Sequence, residues 1–373
     1  MIKIIVAGDF CPHRRVVDLI ENGQYETIFS EVKMLTENAD FSIVNFECPV
    51  ASEQDISIKK CGPALRCDER SVKVLKAAGF NLVTLANNHF RDYGQIGIKN
   101  TLDTCRKYGL GVVGGGVNIV EATKIYYKNI ANQKFAFVNV CESEFSIATA
   151  TQGGSAPLNP IANYYKIKEA KENADFVIII VHGGHEGYNL PSPRMQNTYR
   201  FFVDCGATVV INHHQHCYSG YEIYNGAPIF YGLGNFCFDD TLRNNIWNEG
   251  YMVELNFTNG CVNFMLHPYV QCNDKPVITM FDLIKTADFK IQIASLNKII
   301  ADKIKLEEAF DDFIETRKGL LAFFEPYSNK YAMVLRHWHL LPSYLNHRKK
   351  LILGNLIRCE SHRDIINSLL NIK

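Results

Sequence analysis

Five short stretches of this 373-residue chain group Asp, Glu, Asn and His as a metal site would need them. They are Gly8-Asp9, Asn45-Phe46-Glu47, Asn87-Asn88-His89 with Asp92, His182-Gly183-Gly184-His185-Glu186, and Asn212-His213-His214-Gln215-His216. Carboxylate, imidazole and amide oxygen suit Zn, Mn or Fe. Two such ions roughly 3.5–4 Å apart need one shared carboxylate plus separate terminal ligands, and the pair activates water and holds both attacking and leaving oxygens. His214 and His216 have the spacing that sets two imidazoles on neighbouring ions just past a strand end. The chemistry these residue types point to is a divalent-metal site of one or two ions.

Each cluster directly follows a run of Val, Ile and Phe: residues 3–7, 41–45, 82–86, 176–181 and 208–211. Such nearly continuous apolar runs read as strands covered on both faces. A sixth run, 135–140, leads into Glu142 and Glu144 with no ligand-like pattern of its own. Helix-like segments lie between them at 69–78, 94–108, 162–173 and 194–205, with Gly79 and Gly206 as stop signals. Strand alternating with helix predicts an α/β layered domain, and in such sheets ligands bind at the carboxyl ends of strands. Sites far apart in sequence would then meet at one edge.

After Pro228 the texture changes. Runs at 229–232, 251–257, 261–268 and 276–280 read as strands, two of them joined by the hairpin signal Asn259-Gly260. A second, antiparallel sheet is expected there. From about residue 294 the apolar residues recur at helical spacing, with Gly319, Pro326 and Pro342 as dividers. The expected division is 1–285 for the layered domain and 286–373 for a helical region.

Lysines plus arginines equal aspartates plus glutamates at 39 each, so no whole-surface attraction draws nucleic acid, and none is expected as a partner. The opening apolar run meets Asp9 too soon for a signal peptide, and no run approaches a membrane span of about 20 residues, so a cytoplasmic location is expected. The 12 cysteines are scattered, without a CxxC, and read as reduced buried thiols. The oligomeric state is not legible. The basic segment 336–350 reads as a solvated face of a packed helical region, with binding of an anionic surface, glycan or partner as the alternative.

The clusters, in order, resemble the sequence blocks of the CapA family, named for poly-γ-glutamate capsule synthesis and allied to the calcineurin-like metallophosphatases. The matching text continues through Asp92-Tyr93-Gly94, Pro191-Ser192-Pro193 and Tyr231-Gly232-Leu233-Gly234-Asn235-Phe236. The resemblance covers roughly residues 1–268 and leaves the helical region unaccounted for. It implies a metallophosphatase-like layered sandwich with additional antiparallel strands and a helical C-terminal region.

The same resemblance implies roles. Asp9 and His216 would bind a first ion. Asn88, His182 and His214 would bind a second, with Glu47 bridging. His89 would donate a proton to the leaving group or steady developing charge. One position departs from the wider superfamily, which often has Asp-x-His at the first motif: here the third residue is Cys11, with His13 two further on. An inert buried thiol is the favoured reading of Cys11. Asp92 would orient His89 or cap the following helix. Glu186 and Asn235 are candidates for substrate contact, against a surface loop and a closed turn respectively. Arg66, Arg91 and Arg194 are candidates for an anionic substrate.

The implied function is metal-dependent phosphoester hydrolysis or related group transfer in making capsule or another anionic surface polymer. An anionic polymer, a glycan or a phosphorylated small molecule would be the substrate. Association with membrane-bound polymer-synthesis machinery is left open. Two other readings stand beside it: an amide hydrolase acting on γ-glutamyl or peptidoglycan-like bonds, and a non-catalytic polymer-assembly factor.

Overall fold

Alternate residues of the first strand, β1 (Ile2–Phe10), serve two different cores. Ile4 and Val6 enter a layer between two sheets, while Ile5 and Ala7 pack outward against the helices Glu69–Ala77 and Gly94–Lys107. β9 (Phe176–His182) does the same from the other side. Its Ile178 and Ile180 meet the inter-sheet layer, and its Val177, Ile179 and Val181 face the helices Pro160–Asn173 and Pro193–Asp204. The chain is thus a four-layer sandwich of helices, sheet, sheet and helices. Period-two burial on both faces explains why these strands are apolar throughout.

The computed structural model describes residues 1–240, 245–258, 260–317 and 345–370, with five positions between 331 and 340. The first sheet contains β1, β2 (Phe41–Phe46), β3 (Leu82–Thr84) and β4 (Gly111–Val113), all parallel. A two-residue ribbon, β5 (Gly115–Gly116) with β8 (Gly154–Ser155), lies apart. The second sheet runs β11 (Tyr221–Tyr224), β12 (Ala227–Phe230), β10 (Val209–His213), β9, β7 (Gln133–Cys141), β6 (Tyr126–Ile130). All six strands expected before Pro228 are present. β4, the polar edge strand β6 and the helix Arg15–Glu21 carry patterns too weak to read from sequence.

The separate antiparallel sheet expected after Pro228 is not formed. β14 (Glu249–Thr258) pairs antiparallel with β1, β15 (Cys261–Gln271) with β14, and β16 (Ile278–Met280) with β15, so all three extend the first sheet. β12 joins the second sheet parallel to β10, and β13 (Asn235–Cys237) adds to the end of β1. The reason is burial: Tyr251, Val253, Leu255 and Phe257 complete the inter-sheet layer that β1 alone leaves open. The pairing of Thr258 with Cys261 closes a tight hairpin, Asn259 itself lying outside the described residues.

Helices Leu283–Ala301, Lys303–Thr316, His347–Arg358 and Glu360–Leu369 follow. Asp302 starts the second by accepting from the N–H groups of Ile304 and Lys305. Leu306, Phe310 and Ile314, one helical face, pack with Ile365 into the core outside the second sheet. Gly319, Pro326, Pro342 and, of the basic segment 336–350, most positions before 345 lie outside the described residues. Among the described residues no helix is long and apolar enough to cross a membrane.

Candidate metal centre

Parallel pairing levels the strand ends. Asp9 on β1 stands opposite Asn45 on β2 and Asn235 on β13, and His182 on β9 stands opposite His213 on β10. Gly8 makes the closest of these approaches possible. A Cβ there would lie 2.0 Å from the carbonyl oxygen of Gly234, which itself has φ +78°. Past the end of β10 the backbone turns through the left-handed region at His214 (φ 88°) and His216 (φ 55°). Side chains rarely tolerate that region, and such strain clusters at functional sites.

These elements bring six predicted residues together. Nε2 of His182 lies 3.0 Å from Oδ1 of Asn88, 3.1 Å from Nδ1 of His214 and 3.6 Å from Oε1 of Glu47. The same Glu47 oxygen lies 3.6 Å from Nε2 of His216, whose Nδ1 is 3.7 Å from Oδ2 of Asp9. Two overlapping groups result, Glu47 with His182 and His214, and Glu47 with Asp9 and His216. Bonds of about 2.1 Å at tetrahedral angles would put ligand atoms about 3.4 Å apart, close to these spacings.

Glu47 gives the test of fit. It is fully buried, and among the described residues neither of its oxygens meets a hydrogen-bond donor. A carboxylate so placed is costly unless a cation joins it. Burial and the neighbouring Asp9 hold its carboxyl well above the usual range. Burial also pushes Asp9 up to about 6, against the lowering pull of the Asn45 amide and the His214 N–H. Burial with imidazoles close by holds His182 well below the usual histidine range, and burial brings His216 to about 4. Neutral imidazoles keep their lone pairs available, so the donor set suits a divalent cation.

Supporting residues fix these side chains. Asn45 Nδ2 donates to Asp9 Oδ1 at 2.7 Å, and Thr84 Oγ1 donates to Asn45 Oδ1 at 3.0 Å. His216 Nδ1 is 2.8 Å from Asn235 Oδ1, which leaves Nε2 as the ligand atom. Asn235, a sequence candidate for substrate contact, is instead fully buried and orients His216. His213, with no role legible in the sequence, is buried 3.4 Å from Asp9 Oδ1, with no hydrogen-bond partner among the described residues at either ring nitrogen.

His89 reaches the same place from the loop after β3. Its Nδ1 lies 2.7 Å from Oδ2 of Asp92, which also accepts the Leu65 N–H at 2.7 Å. Asp92 therefore orients His89. Capping is excluded, because the helix Gly94–Lys107 begins at Tyr93 with no side-chain cap. Lys60, which carries no sequence signal, bonds Asp92 Oδ1.

Other candidates lie elsewhere. Arg66 pairs with Glu53 at 2.9 Å and lines a separate groove of about 530 Å³, with His13 on the same groove. Arg91 bonds Gln152. Arg194 bonds Glu142 at 2.5 Å and also Asp364, so it is a structural tie rather than a substrate contact. Cys11 is buried in the core behind β1, with the Cys48 thiol beside it, and belongs to neither ligand group.

A cavity of about 330 Å³ opens over Asn88, His89 and His214. Lys60 and exposed Glu186 stand on its rim, and Phe313, Arg317, Leu356 and His362 of the C-terminal helices form its far wall. That wall is tied down at Glu142, which accepts from Arg194 and from Ser361 of the last helix.

The family described as "Bacterial capsule synthesis protein PGA_cap" matches residues 3–240. The chain is 34% identical over 246 residues to the capsule biosynthesis protein CapA of Bacillus anthracis, covering 64% of this chain and 60% of that protein. It is 35% identical over 236 residues to the PGA biosynthesis protein CapA of Bacillus subtilis (strain 168), covering 62% of each. The chain thus spans about three-fifths of the length of these relatives. A 5'-nucleotidase precursor from Thermus thermophilus superposes with a TM-score of 0.46 at 10% identity, over 86% of this chain and 59% of that one. The family match takes in every one of the strand-end clusters, and the chain belongs to the PGA_cap family of bacterial capsule synthesis proteins.

Proposed function

We propose that this protein is a metal-dependent phosphoester hydrolase or group-transfer enzyme acting in the synthesis of an anionic capsule-type polymer. The observation that carries the reading is Glu47. It is a buried carboxylate without donors among the described residues, shared by two ligand groups, with the His89–Asp92 pair alongside. Asp9, Glu47, Asn88, His182, His214 and His216 would hold one or two ions of Mn, Zn or Fe. When bound, such ions polarise a phosphoryl oxygen and activate water.

The chain's own residues supply the rest. Asp92 holds Nδ1 of His89, so Nε2 is the nitrogen left to deliver a proton to the leaving oxygen. Asn45 and Asn235 keep the Asp9 and His216 side chains in place. Phe313 and Leu356 place apolar surface opposite the polar floor and limit water in the cavity.

A second substrate class rests on the relatives' names. Capsule and PGA biosynthesis bring in the γ-glutamyl amide, whose carbonyl the same ions would polarise. The deciding assay uses bis(p-nitrophenyl) phosphate, p-nitrophenyl phosphate and γ-glutamyl-p-nitroanilide with added Mn. Turnover of a phosphate ester, lost in His89→Ala with metal retained, supports the leading reading. Turnover of the anilide alone selects the amidase. Inactivity on all three, with full metal content, leaves a non-catalytic assembly role.

A further inference from the structure

Lys60 is an ammonium group placed at the cavity with more donors than the described residues use. It lies in the irregular stretch between β2 and the helix Glu69–Ala77, and only 5% of its side chain is exposed. Yet it lines the cavity beside Asn88, His89 and His214. Its loop is pinned by a single residue: Ile58 N–H donates to the Asp92 carbonyl at 2.8 Å, and Leu65 N–H donates to the Asp92 carboxylate at 2.7 Å.

Count the hydrogens. A lysine ammonium carries three N–H donors and no acceptor. One goes to Asp92 Oδ1. The other near neighbour is His89 Nδ1, at 3.1 Å. That nitrogen also lies 2.7 Å from Asp92 Oδ2, a contact that only an N–H makes favourable. A nitrogen donating to Asp92 cannot accept from Lys60. Among the described residues no other acceptor meets Lys60, so two ammonium hydrogens remain for whatever enters the cavity. Buried charged donors left without acceptors are costly, and a site that carries them is made for a charged acceptor.

We infer that Lys60 binds an anionic oxygen of the substrate beside His89, on the leaving-group side of the metal site. This rests on the hydrolase reading for the word substrate, and on geometry alone for the oxyanion. Lys60 is also a positioning residue, since its bond to Asp92 Oδ1 leaves Oδ2 for His89. A lysine offers a point charge to phosphoryl or carboxylate oxygens without bidentate geometry. Either would be held here: a phosphate group, or the free carboxylate of a γ-linked glutamate chain.

The test is binding to the full-length, Mn-loaded protein, with turnover measured separately. Isothermal titration with inorganic phosphate and with γ-glutamylglutamate separates the two sources. Lys60→Met is expected to weaken the bound anion about tenfold, the loss of one charge-assisted hydrogen bond. Mn content should stay unchanged and Lys60→Arg should recover most of the affinity. Lys60→Met leaves Asp92 buried without its cation and can cost folding. The comparison of Asp92→Asn with Lys60→Met/Asp92→Asn removes that difficulty, and the double variant should bind the anion about tenfold more weakly than the single one. Equal affinity in that pair overturns the inference, as does wild-type protein that holds its metal and binds neither anion. A wild-type protein that binds the anion through Lys60 but hydrolyses no ester or amide sinks the enzyme reading and leaves this one standing.

Discussion

Oε1 of Glu47 lies 3.6 Å from Nε2 of His182, and no hydrogen-bond donor among the described residues reaches either Glu47 oxygen. A carboxyl whose folded pKa is raised destabilises the protein once pH exceeds its unfolded value, so at neutral pH the metal-free protein carries Glu47 at a cost. Glu47→Gln should therefore melt at or above wild type in EDTA. With Mn at a hundredfold over its Kd, wild type should gain about 2.7 kcal/mol and the variant a small fraction of that. Thermal unfolding with and without metal, with metal counting, checks both halves. An equal gain in the variant would falsify the shared-carboxylate geometry.

His89 predicts a dependence on the leaving group. An acid matters most when the departing oxygen is basic. His89→Asn should lower kcat/KM roughly 10²- to 10⁴-fold on an alkyl phosphodiester, and far less on a p-nitrophenyl ester, with metal content intact. Asp92→Asn should follow the same pattern more weakly, because His89 stays in place but its Nδ1–H loses a charged acceptor. Equal losses on both esters would point to a binding role for His89 and remove it as the proton donor.

The candidate metal ligands are legible in the sequence because each follows an apolar run. Strand periodicity fixes where such runs end, and parallel pairing then levels Asp9 with Asn45 in the first sheet and His182 with His213 in the second. The strands after Pro228 are legible as strands, but not in their partners. Whether β14 joins β1 depends on which core is left uncovered, and no local pattern encodes that. Lys60 is invisible for a different reason. Its loop has no periodicity, and its position follows from main-chain and side-chain bonds to Asp92. Asn235 stands out in its motif, but only distances show that it faces His216 rather than a ligand. Arg194 looks available for an anion until Asp364, far along the chain, is seen to hold it.

Gly8→Ala should weaken fold and site together. Its Cβ would sit 2.0 Å from a main-chain oxygen of Gly234, which cannot rotate away. Separating the two strands should cost about 3 kcal/mol, the upper part of the range for overpacked cores. It would also move Asp9 away from Asn235 and His216. A lowered melting temperature together with weaker Mn binding is the expected pair of results. A variant that melts lower yet binds Mn as wild type does would show that Asp9 does not depend on this approach.

The far wall of the cavity hangs on Glu142, and acid should release it. Burial alone would raise this carboxyl, but Arg194 and Ser361 outweigh it and hold Glu142 at about 2, down from the usual 4.5. A depressed carboxyl stabilises the fold above its unfolded pKa, and the contribution is lost as pH falls from 4.5 towards 2. At 1.36 kcal/mol for each unit, the amount is roughly 3 kcal/mol. The groups around it do not all act alike. Burial holds His185, 3.0 Å from the Ser361 carbonyl, at about 4, so its contribution fades earlier, as pH falls from 6.5 to 4. Asp364, on the other side of Arg194, is raised by burial and weakens the fold at higher pH. Hydrogen exchange in the last helix, Glu360–Leu369, should thus accelerate on acidification before the strands around β9 open. In Glu142→Gln that acceleration below pH 4.5 should be largely absent, because the helix is already loosened at neutral pH by an Arg194 left short of one partner, a loss of about 3–5 kcal/mol for a broken buried pair. Exchange that keeps its full acid dependence in the variant would place the hinge of this wall somewhere other than Glu142.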